Sequence, residues 1–117
     1  MDSRDRKVLQ KLQAHTEAIL RYCVNCQTLA DFEADSMRVE ATVFNLMQIG
    51  ELSKTSLSDT VKDAIPSIPW RQIYGLRNRI VHGYAGVDMR IVWDTVSEDI
   101  PRLRAELAAI NGAADCE

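Results

Sequence analysis

Arg77, Asn78, Arg79, His82 and Tyr84 fall within one run, Arg77-Asn78-Arg79-Ile80-Val81-His82-Gly83-Tyr84. A histidine exchanges its proton near neutral pH. An arginine keeps its charge and grips phosphate oxygens in a planar fork. Together they supply what cleavage of an RNA phosphodiester without a metal requires. One proton is taken from a ribose 2′-hydroxyl, another is given to the leaving oxygen, and the charge that builds on the phosphate is neutralised. Asn78 stands four residues before His82, so on a helix it shares a face with the ring and is a candidate for orienting it. Arg79 is a second candidate for phosphate contact. A plainer reading stands beside this one: His82 as a helix-end residue facing the last carbonyls, the arginines as solvated charges, Tyr84 as a packed loop aromatic. Residue types alone leave both open.

Helix geometry constrains the first reading. Residues five apart lie about 140° apart around a regular helix of ~3.6 residues per turn, so Arg77 and His82 do not meet side by side. Either the helix loosens before Gly83, or the two residues serve a site that a second subunit completes at a two-fold axis.

The elements that must position these residues are all helical. Val8, Leu12, His15, Ile19 and Cys23 recur at spacings of four and three, one face of a long first helix. Thr28 to Asp35 reads as a polar turn, with Asp35 or Ser36 as N-cap of a second helix through Val39, Val43, Leu46 and Met47 to about Leu57. Ser58 and Asp59 open a short helix that Pro66 ends, and Pro69 suits the first turn of the next. Trp70, Ile73, Leu76, Ile80 and Val81 give that helix its apolar side. Gly83 and Gly86 interrupt the pattern, and Asp88 is the expected N-cap of a last helix carrying Val92, Val96, Ile100, Leu103, Leu107 and Ile110. Pro101 lies inside that stripe and should kink or open it. No segment alternates as a strand would. The expectation is an all-α, four- to five-helix up-and-down bundle over residues 1–117 as a single domain, with a frayed tail at 112–117.

Composition fits a globular chain of 117 residues with 46% hydrophobic and 26% charged residues. The net charge of −3 speaks against a general nucleic-acid coat protein. Yet Arg71, Arg77, Arg79 and Arg90 face only Asp88 between Pro66 and Trp93, a basic segment suited to local engagement of a phosphate. No apolar run approaches the ~20 residues that span a bilayer, and none follows the charged start Met1 to Lys7, so the expectation is a cytoplasmic protein without a secretory signal. Cys23 and Cys26 have CxxC spacing, but no second pair completes four ligands for zinc. They read as packing or exposed thiols, and no metal site or cofactor is expected.

The run from Ile68-Pro69-Trp70 through Leu76-Arg77-Asn78-Arg79-Ile80-Val81-His82-Gly83-Tyr84-Ala85-Gly86-Val87-Asp88, with Ile91-Val92-Trp93-Asp94-Thr95 after it and Ile49-Gly50-Glu51 before it, resembles the HepT family. These are the toxin halves of HEPN/MNT toxin–antitoxin pairs. Arg77, His82 and Tyr84 match the family's R-x4-H-x-Y motif, and the similarity is best from about residue 39 to 104. The resemblance implies a homodimeric, HEPN-like all-α bundle whose two motifs line one cleft. It implies metal-independent endoribonuclease action on RNA by Arg77 and His82. It further implies a partner, an MNT-type nucleotidyltransferase antitoxin that transfers AMP to Tyr84 and silences the toxin. Ala85 departs from relatives that often carry an aromatic residue after the motif tyrosine. The alternative is a non-catalytic helical module that binds and assists a nucleotidyltransferase, since fold alone does not settle function.

Overall fold

Side-chain caps set most of the helix starts in the computed structural model, which describes residues 1–83 and 86–115. Helix α1 (Ser3–Tyr22) begins at Asp2, whose carboxylate accepts from the Asp5 amide at 2.8 Å. Helix α3 (Ser36–Thr55) begins at Asp35, which accepts from the amides of Met37 and Arg38. Helix α4 (Asp59–Ala64) begins at Ser58. In each case the side chain satisfies amides that a helix start leaves unpaired. Helix α5 (Trp70–Gly83) follows Pro69. Asp88 caps α6 (Met89–Asp94) through the Arg90 amide, and α7 spans Ile100–Asp115.

Three features differ from the sequence expectation. The segment read as a polar turn contains α2 (Leu29–Glu33). Thr28 accepts from the Asp31 amide and Asp31 reaches back to the Thr28 amide, a reciprocal capping box. The box fixes a turn just long enough to bury Phe32 completely and stack it on Trp93, with ring centroids 5.6 Å apart. Between α6 and α7, Thr95–Asp99 forms a π-helical turn. Pro101, on the second residue of α7, has no amide to donate to the preceding turn, and the wider turn before it accommodates that loss. Helix α7 also continues past Gly112, the residue at which the sequence pattern ends, to Asp115.

The described residues contain helices and no strand, as expected of an all-α bundle. Helix α1 packs on both α3 and α7, and α3 packs on α5. The buried side chains form one core: Leu9, Leu12 and Ile19 of α1, Val43, Leu46 and Ile49 of α3, Ile80 of α5, and Val92, Val96 and Leu107 of the C-terminal helices. Cys23 belongs to it; burial pushes its thiol up, and its Sγ lies 3.7 Å from the Thr42 hydroxyl. The reading of Cys23 as a packing residue agrees with that position. None of the described helices is long and apolar enough to cross a membrane.

One polar tie holds α1 to α4. The buried Asp5 carboxylate accepts from the Ser58 amide and the Ser58 hydroxyl, both at 2.9 Å. These bonds, the amide first, hold its carboxyl below the usual carboxylate range. A folded pKa below the unfolded one means the contribution is complete above the ordinary aspartate value of about 3.9 and is lost as pH falls through the lower folded value. Urea denaturation from about pH 6 to about pH 2 should therefore show Asp5→Asn less stable than wild type at the upper end and less sensitive to acid. Parallel curves for the two proteins would show that the tie does not operate.

Candidate active site

Helix α3 approaches α5 closely at Gly50. A Cβ placed there would clash with the Cβ of Arg77, and would sit 2.8 Å from its Cγ and 3.3 Å from the Ile73 carbonyl oxygen. Glycine is therefore required by contact with the Arg77 stem, because no side-chain atom fits between the two helices. The start of α5 is fixed as well. The Trp70 indole N–H donates to the carbonyls of Lys62 and Ile65, which joins α5 to the end of α4.

Seated on Gly50, Arg77 is bound by three neighbours. Its Nη2 lies 2.7 Å from Glu51 Oε2 across the helix pair. Its Nη1 donates to Asn78 Oδ1 at 3.1 Å. Its Cζ stands 5.7 Å from the centroid of the Tyr74 ring. Its side chain is 23% exposed, so the guanidinium is anchored but still reachable. The planar fork has a defined direction, as binding a phosphate oxygen requires.

His82 lies in the last turn of α5 and is exposed. The helix stays α-helical from Trp70 through Gly83, so it does not loosen before Gly83. Among the described residues no hydrogen bond joins His82 to Arg77 or to Asn78. The Asn78 side-chain oxygen accepts from Arg77 instead, and its amide nitrogen makes no hydrogen bond among the described residues. Arg79 is two residues from Arg77, hence on nearly the opposite side of α5. It lines a separate groove of about 530 Å³, with Leu76, Ile91, Asp99 and Arg102. Tyr84 and Ala85 lie outside the described residues.

The motif itself does not indicate Glu51 and Tyr74, which contact Arg77, nor Lys54, whose ammonium stands over the same Tyr74 ring. The sequence signal for Glu51 is its place in Ile49-Gly50-Glu51, the part of the family resemblance that lies outside the motif. A shallow apolar hollow opens beside this site, lined by Glu40, Val43, Phe44, Met47, Ile80 and Val81. Phe44 is 57% exposed and Val81 40% exposed.

Gly50→Ala tests the anchoring. Its methyl group would force α5 and the Arg77 stem away from α3, at a cost of roughly 1–3 kcal/mol for overpacking. The expected outcome is a lower urea midpoint together with loss of any activity that depends on Arg77. A variant with wild-type midpoint and activity would contradict the close approach.

A family model described as ribonuclease HepT-like matches residues 7–110. A protein of Thermococcus cleftensis named "Probable ribonuclease HepT" is 42% identical over 76 residues, covering 65% of this chain and 68% of its own length. A "putative RNase" of Caldanaerobacter subterraneus subsp. tengcongensis is 32% identical over 102 residues, covering 82% of this chain and 90% of its own. Another from Methanocaldococcus jannaschii is 30% identical over 111 residues, covering 94% and 90%. No solved structure matches significantly. With an anchored Arg77, an exposed His82 on the same helix and a family match over nearly its whole length, the chain belongs to the HepT-like ribonuclease family.

Proposed function

We propose that the protein is a metal-independent endoribonuclease, the toxin of a toxin–antitoxin pair, acting through Arg77 and His82 in a cleft between two copies of the chain. The observation that carries this reading is the path of α5. The helix runs unbroken through Gly83, so Arg77 is turned toward α3 while His82 projects to solvent one and a half turns away. A single subunit thus offers a phosphate grip and a proton-transfer group that do not converge. A second subunit related by a two-fold axis brings its His82 to the first subunit's Arg77, and the reverse.

The apolar hollow beside the site supports the same assembly. Phe44 and Val81 are apolar side chains left in water at this hollow, and contact with a second copy would remove them from it. In the assembled cleft, Arg77 releases Glu51 in exchange for a phosphate oxygen and stabilises the charge that develops there. His82 takes the 2′-hydroxyl proton or delivers one to the leaving 5′-oxygen. The 2′-oxygen attacks the phosphorus, the P–O5′ bond breaks, and the product ends in a 2′,3′-cyclic phosphate. Asn78, through its remaining amide N–H groups, is suited to hold the imidazole.

Tyr84 follows His82 by two residues in sequence, and we assign it the role of AMP acceptor for a nucleotidyltransferase antitoxin. The added phosphodiester and nucleoside would bring a bulky anion next to the catalytic pair and compete with RNA for the arginines.

His82→Ala and Arg77→Ala should each lower the rate of RNA cleavage by about 10²–10⁴-fold, the usual worth of a positioned proton donor or charge stabiliser. Chelation with EDTA should leave the wild-type rate unchanged. If both variants cut RNA as fast as wild type, these residues are not the active site. If none of the three proteins cuts RNA, the non-catalytic module that assists a nucleotidyltransferase becomes the better account. Tyr84→Phe should remain a nuclease and escape ATP-dependent silencing by the antitoxin; continued silencing would exclude Tyr84 as the acceptor.

A further inference from the structure

Arg77 is not the only cation on the Tyr74 ring. Lys54, from the last turn of α3, holds its ammonium 5.1 Å from the same ring centroid. The Lys54 side chain is exposed, and among the described residues it pairs with no carboxylate. Tyr74 is half-buried. Two positive charges from different helices are thus gathered around one aromatic ring, beside the residue assigned to the reacting phosphate. The plain alternative is that Lys54 merely faces the C-terminal carbonyls of α3.

We propose that Lys54 and Tyr74 form a binding position for the nucleotide that flanks the cleaved linkage in single-stranded RNA. The proposal rests on the ribonuclease reading given above. Arg77 takes the reacting phosphate, and Lys54 takes the neighbouring one on the same strand. As the ammonium moves from the ring to that phosphate, the Tyr74 face is uncovered and a base stacks on it. Lysines that track a backbone and an aromatic ring that carries a base are the two components of single-strand binding, and neither depends on base identity. A base already paired in a duplex cannot reach the ring, so the position selects RNA that is unpaired next to the cut.

Counterion release separates this role from a structural one. Each phosphate contact on a single strand contributes about 0.7 to the slope of log affinity against log salt concentration. Steady-state cleavage of a short single-stranded oligoribonucleotide is compared for wild type, Lys54→Ala, Lys54→Arg, Tyr74→Ala and Tyr74→Phe. Binding of the same RNA is measured in a His82→Ala background across a salt series. Lys54→Ala should raise KM severalfold with little effect on kcat and should reduce the salt slope by about 0.7; Lys54→Arg should restore the slope. Tyr74→Ala should weaken binding by about 5- to 100-fold with the slope retained, as expected for a lost stacking contact, and Tyr74→Phe should bind as wild type does. A Lys54→Ala protein with wild-type KM and salt slope would overturn the proposal while leaving the nuclease intact. A wild-type protein that neither binds nor cuts RNA would overturn both.

Discussion

The contact between Gly50 and the stem of Arg77 is the constraint on which the site depends. Two helices that meet without an intervening side chain bring their next residues within reach of each other. Glu51 follows Gly50 directly and pairs with Arg77 at 2.7 Å. Tyr74 is one turn before Arg77 on α5, and Lys54 is one turn beyond Gly50 on α3, so the two meet across the same seam. A larger residue at position 50 would separate all four. The remainder of the bundle holds this seam in place: α1 packs on the other side of α3, and Trp70 fastens the start of α5 to the carbonyls of α4.

An arginine held by a carboxylate is a resting arrangement with a chemical meaning. Glu51 offers the fork oxygens of the kind a phosphate offers, so the guanidinium is held in one direction and partly out of water. On the proposed reading, phosphate binding would exchange one anion for another and would not have to order a free side chain. Because Glu51 is itself 43% exposed, it can swing out to water when displaced.

Much of the fold was legible in the sequence because its signals are local. The caps at Asp35, Ser58 and Asp88, the prolines at 66 and 69 and the apolar stripes each depend on residues within a turn or two. Helix α2 escaped notice although Thr28 and Asp31 have capping-box spacing, because five residues are too few to show a 3.6-residue period. The π-helical turn at Thr95–Asp99 depends on a proline two residues beyond it, and the sequence indicated a disturbance without its form. The arrangement of the site was legible only in part. The angle between Arg77 and His82 follows from counting residues, and so does the placement of Arg79 on the far side of α5. The surroundings of Arg77 do not, because Glu51 reaches it, and Lys54 reaches the Tyr74 ring, only through the register in which α3 packs on α5, and that register is a property of the whole core.

The central claim is that an active site is assembled from Arg77 of one subunit and His82 of another. Mixing the two inactive variants tests it most directly. Arg77→Ala and His82→Ala proteins, each purified, are unfolded together, refolded and assayed on single-stranded RNA. A mixed dimer contains one cleft with both native residues. The account predicts that the mixture regains a clear fraction of the wild-type rate that neither parent shows. A mixture as silent as its parents, with mixed dimers demonstrated by differential tagging, would contradict it.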